Sequence, residues 1–148
     1  MAGGAVRSHV GEVWGKEIVP TLADFIRIPN VSVAFDPGWA EAGHMGRAVE
    51  LVAGWLRARP IEGATVEVAE IPGRTPVIIV DVPAFGVSGG AASGGAVLLY
   101  GHLDKQPPLA EWRSGLGPWE PVLEGDRLYV AISMIVLAIL TYSILHAV

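Results

Sequence analysis

Apolar residues recur at three-to-four spacing over residues 8–28, at Val10, Val13, Trp14, Ile18, Leu22, Phe25 and Ile26. That period predicts an amphipathic helix, with Ser8 as its N-cap and Pro20 as the place where it kinks or splits. Pro29-Asn30 ends it, and Asp36-Pro37-Gly38 signals a turn. A second stripe (Met45, Ala48, Val49, Val52, Trp55, Leu56) predicts a helix over residues 40–59. Arg47, Glu50 and Arg57 face away from it, and Pro60 and Gly63 stop it. Trp14 and Trp55 lie on these stripes and are expected in the core.

Beyond residue 64 the period falls to two. Val66 and Val68 alternate with outward Glu67 and Glu70, which predicts a half-buried strand over 65–71. The run PVIIVDV at 76–82 predicts a second strand, and the continuous apolar run AVLLY at 96–100 predicts one covered on both faces. Glu124-Gly125-Asp126, between Val122-Leu123 and residues 127–129, is a hairpin signal. Helices followed by strands predict the α/β class. The stretch FGVSGGAASGG at 85–95 reads as a flexible connection, since it holds no Gly-x-Gly-x-x-Gly leading into a helix.

Composition narrows the function classes. Ten Lys and Arg face fifteen Asp and Glu, for a net charge of −5. No basic stripe is offered to a phosphate backbone, so nucleic acid is not an expected partner. A hydrophobic fraction of 51% with 17% charged residues excludes disorder as the main state. The absence of cysteine excludes a disulfide scaffold and any thiolate zinc site, and fits a reducing compartment. No apolar run of signal-peptide length opens the chain. Residues 130–148, in contrast, contain no Asp, Glu, Lys or Arg. As a helix, at about 1.5 Å per residue, they would span about 28 Å, close to the ~30 Å of a bilayer interior. That predicts a membrane helix, with a buried or aggregating tail as the alternative. Arg127, just before the span, favours a cytoplasmic placement of the domain.

The candidate chemistry lies in Leu98-Leu99-Tyr100-Gly101-His102-Leu103-Asp104. His102 and Asp104 are two apart, so on an extended segment they point the same way. A neutral imidazole is a good zinc donor, and a neighbouring carboxylate fixes its tautomer. On those two residues alone, a surface His beside an Asp in a turn is the competing reading. Glu111, Glu120 and Glu124 read as charges on solvated loops, and His9, His44 and His146 as structural or surface residues.

The segment YGHLDKQPP, followed by Glu111-Trp112, Gly117-Pro118-Trp119-Glu120-Pro121 and Gly125-Asp126-Arg127-Leu128-Tyr129, resembles a family of zinc-dependent metallopeptidases. That family includes carnosinase, cytosolic non-specific dipeptidase, acetylornithine deacetylase and succinyl-diaminopimelate desuccinylase. Phe25-Ile26-Arg27-Ile28-Pro29-Asn30-Val31-Ser32 and Thr75-Pro76-Val77-Ile78-Ile79-Val80 resemble two earlier segments of it. Trp112 and Trp119 bring the likeness nearest the dipeptidase branch, and the likeness covers roughly residues 10–129. It implies a catalytic domain with two zinc ions that hydrolyses peptide or acyl-amide bonds. By the resemblance His102 matches the first metal ligand, and Asp104 the carboxylate that supports it. A peptide or acyl-amino-acid substrate is implied too, and often a homodimer.

After Gly125-Asp126-Arg127-Leu128-Tyr129 the likeness stops. The family continues with a Gly-Arg-Gly turn and an Asp-Asp that bridges the metals, whereas this chain continues Val130-Ala131-Ile132. No carboxylate side chain follows Asp126, so the bridging Asp, the general-base Glu and the later ligands have no counterpart. The family's dimerisation segment is missing as well. The chain therefore reads as residues 1–129, the N-terminal part of a metallopeptidase catalytic domain, joined to an apolar tail at 130–148. On that reading it is inactive alone. The alternative is a non-enzymatic, membrane-tethered domain with an incomplete metal site.

Overall fold

The computed structural model describes residues 2–83, 97–108 and 111–129. The connection at 85–95 and the expected apolar helix at 130–148 lie outside the described residues. The first helical run starts earlier than expected, so Ser8 sits inside a helix rather than capping it. Helix α1 (Ala2–Val13) continues through one π-helical stretch (Trp14–Ile18) into α2 (Val19–Ile26). Pro20 explains the interruption. It has no N–H for the Lys16 carbonyl, and its ring crowds that carbonyl. The wider turn relieves both, with the Val19 N–H reaching back five residues to the Trp14 carbonyl.

The second run is split by Gly43 into α3 (Trp39–Ala42) and α4 (His44–Arg57). Gly43 takes φ 67°, which suits glycine and breaks the helix. On α4 the predicted stripe is buried at Met45, Ala48, Val49 and Val52, while Arg47, Glu50 and Arg57 are exposed. Trp14 departs from expectation: it is 43% exposed and outside the core. Trp55 is half-buried, and the Arg59 guanidinium stacks on its ring at 4.3 Å. Arg59 also pairs with Glu17, fastening the end of α4 to the first helical run.

Strands β1 (Thr65–Ala69) and β2 (Val77–Asp81) form an antiparallel pair with Val66 opposite Val80 and Val68 opposite Ile78. Their inward side chains share one face, as the alternation requires. The connection turns at Pro72-Gly73, where Gly73 has φ 75° and the Arg74 N–H donates to the Ile71 carbonyl at 3.0 Å. That is the chemistry of a type II turn. A second antiparallel pair, β3 (Val122–Glu124) and β4 (Arg127–Tyr129), closes around Gly125-Asp126 as the hairpin signal predicts. Arg113 holds the preceding loop to this hairpin through Glu124, at 2.7 Å, and lies 5.1 Å from the centre of the Tyr129 ring.

Mixed α/β is therefore the observed class, built among the described residues from helices and two separate two-stranded sheets. The expected doubly covered strand is not formed at residues 97–100. They carry no regular secondary structure, with Val97 86%, Leu98 92% and Tyr100 87% exposed. A continuous apolar run becomes such a strand only when neighbouring strands satisfy its backbone and layers cover both faces. Neither condition is met for residues 97–100 among the described residues.

Packing centres on Phe25, Ala48 and Val52, where α2 meets α4, with Ile28, Leu51, Leu56, Ile78 and Leu103 against them. Leu103 is the member of this set next to the candidate pair. It carries the His102–Asp104 segment onto the core.

Candidate functional site

Residues 102–105 alternate. Leu103 and Lys105 turn inward, while His102 and Asp104 lie on the more open side, with side chains 41% and 32% exposed. The shared direction expected from their spacing is realised. His102 Nδ1 lies 2.8 Å from Asp104 Oδ1 and 3.0 Å from the Asp104 carbonyl oxygen. Both acceptors call for a proton on Nδ1, which the imidazole donates. The tautomer so fixed leaves Nε2 with its lone pair, the state a metal ligand needs.

The main chain that carries the pair is held by residues 30–32. The Lys105 N–H donates to the Asn30 carbonyl at 2.9 Å, and the Ser32 N–H to the Lys105 carbonyl at 2.8 Å. Val31 and Lys105 thus form a parallel bridge. Asn30, 1% exposed, donates from Nδ2 to the Leu103 carbonyl at 2.8 Å. Residues 30–32 and 103–105 therefore grip one another, although they lie more than seventy positions apart.

Sequence reasoning missed Lys105 and Asn30. Both fall in the motif segments, but neither type signals burial: lysine is almost never fully buried and asparagine is mostly exposed. Here Lys105 is 1% exposed. Its Nζ donates to the carbonyls of Ile28 at 2.5 Å, Phe25 at 2.6 Å and Ile26 at 3.4 Å. The ammonium lies 4.2 Å from the centre of the Phe25 ring and 5.4 Å from that of Trp119. Burial pushes its pKa down to about 7. The end-of-helix carbonyls and the ring faces act the other way and favour the cation.

As a metal site the arrangement is partial. His102 fits as one oriented nitrogen donor, but catalytic zinc takes about three protein ligands. Among the described residues no group of three or more His, Asp or Glu could hold a metal ion. His9 and His44 lie on helices away from the pair, and Glu120 and Glu124 are exposed. His44 is engaged locally by Arg47. No helix among the described residues is long and apolar enough to cross a membrane. No protein-family model and no curated protein matches the chain.

Proposed function

We propose that this chain carries the first-ligand portion of a dipeptidase-like zinc metallopeptidase site, with His102 as metal ligand and Asp104 as the carboxylate that orients it. The intact site would hydrolyse peptide or acyl-amide bonds. The observation that supports this is the 2.8 Å contact between His102 Nδ1 and Asp104 Oδ1. It prepares Nε2 as a donor on the open side of a segment otherwise fastened to the core. A zinc titration of the full chain, followed through its imidazole nitrogen resonances, tests the reading. His102 Nε2 is expected to respond at lower zinc than His9, His44 or His146. Asp104→Asn is expected to weaken that response about 10–100-fold. An equal response from all four histidines would overturn the assignment.

The charge-free segment at 130–148 supports a second reading, a membrane-tethered domain. Without a charge the largest insertion penalty, ~2.5–3.5 kcal/mol per central charged residue, is absent. The full chain is expected to pellet with membranes, resist carbonate and dissolve in detergent, whereas a chain ending at Tyr129 stays in the supernatant. Equal solubility of the two, or a detergent-resistant pellet, would exclude the anchor.

A further inference from the structure

Asp104 can orient His102 only as well as the main chain at residues 103–105 is held. Besides the packing of Leu103 on the core, it is held by Asn30 Nδ2 on the Leu103 carbonyl, by the two backbone bonds between Lys105 and residues 30 and 32, and by the Lys105 side chain. The side chain differs from the others in reach. It reaches the carbonyls of Phe25, Ile26 and Ile28, at and just beyond the end of α2. Phe25 and Ile26 close α2, at the negative end of its dipole, and Ile28 follows it; the Phe25 and Ile28 carbonyls also accept the Ile28 and Asn30 N–H groups, at 3.1 and 2.9 Å. Among the described residues none of the ion pairs includes Lys105, so no carboxylate competes for it. The rings of Phe25 and Trp119 lie near Nζ, which as amine or ammonium has protons to donate to these carbonyls.

We propose that Lys105 is the positioning residue of the His102–Asp104 pair: anchored on the carbonyls at the end of α2, it sets the backbone at Asp104 so that its carboxylate receives the His102 Nδ1 proton. The role as a support for metal binding rests on the reading above. The control of the imidazole does not, because the tautomer is a property of the metal-free chain.

The experiment reads that tautomer from the imidazole ¹⁵N resonances of His102 in the full chain at pH 7.5. The proton is expected on Nδ1. Lys105→Met is expected to move the population toward the Nε2–H form that free histidine favours. The chain has no cysteine, so Lys105→Cys offers a single alkylation target. Aminoethylated while unfolded and then refolded, that variant regains an amine at nearly the length of lysine and is expected to restore the Nδ1–H form. The ethylated control, which carries no amine, is not. Retention of the Nδ1–H form by Lys105→Met or by the ethylated protein would overturn the proposal. So would an aminoethylated protein that fails to fold or to regain the signature. Zinc added to the same samples separates the two ideas. A tautomer that follows Lys105 without any zinc response at His102 upholds the positioning role and rejects the metal reading.

Discussion

The full chain, supplied with zinc and dipeptides or acyl-amino acids, is expected to show no hydrolysis above buffer. Replacing residues 130–148 with the continuation of a dipeptidase-like catalytic domain is expected to bring activity that depends on His102. The reason is the donor count. One oriented nitrogen cannot hold a zinc that needs about three protein ligands, and residues 127–148 contain no Asp or Glu to bridge metals or act as base. Two metals polarise the scissile carbonyl and lower the pKa of bound water, which together supply several kcal/mol of transition-state stabilisation. In the completed protein His102→Ala therefore removes about 4 kcal/mol, or ~10³-fold in kcat/KM, together with zinc content. Asp104→Asn keeps the ligand and loses its orientation, at a smaller cost of about 10–100-fold. Zinc-dependent turnover by the unmodified chain, abolished by His102→Ala, would refute the donor count. Undiminished zinc and activity in the completed His102→Ala protein would show that the site lies elsewhere.

Unfolding of the wild-type chain in urea at pH 6, 8 and 10 is expected to give a free energy that rises with pH, and Lys105→Met is expected to flatten that rise. The ammonium is pushed down to about 7 by burial, from an ordinary 10.5. Between those values the unfolded chain holds a proton that the folded chain has released, so stability increases with pH. Below pH 7 both states are protonated and the contribution is flat; above 10.5 both are neutral. At 1.36 kcal/mol per unit the rise has a ceiling of about 5 kcal/mol. The carbonyl and ring contacts that favour the cation bring it below that ceiling. Lys105→Met removes the proton equilibrium and the bonds to the Phe25, Ile26 and Ile28 carbonyls; Phe25 and Ile28 keep the Ile28 and Asn30 N–H groups, so the cost is that of the lost bonds, about 1–3 kcal/mol. In the acid range the variant also escapes the burial of a charge, which offsets part of that loss. Its deficit relative to wild type should therefore widen from pH 6 to pH 10. Parallel pH profiles for the two proteins would show that Lys105 does not titrate between the folded and unfolded states.

The two helical stripes, the strands at 65–71 and 76–82, the β3–β4 hairpin and the His102–Asp104 pairing are legible in the residues because each is made by near neighbours, whereas the pairing of β1 with β2 is seen only in the structure. A helix closes its bonds four residues back, so the spacing from Val10 to Ile26 and from Met45 to Leu56 is enough to predict it. Pro72-Gly73 and Gly125-Asp126 turn the chain within a few residues, and two-residue spacing alone brings Asp104 onto the His102 side. The tertiary structure decided what depends on distant partners. Residues 97–100 have the composition of a covered strand and are exposed, because a strand exists only when another segment pairs with it. Trp14, on the apolar stripe, is left 43% exposed, because among the described residues nothing covers it as α4 covers Phe25. Lys105, of a type almost never fully buried, is buried because the end of α2, about eighty residues earlier, presents carbonyls that its long side chain can reach. Long-range packing thus sets which residues hold His102 and Asp104 in place, and local spacing sets only that the two can meet.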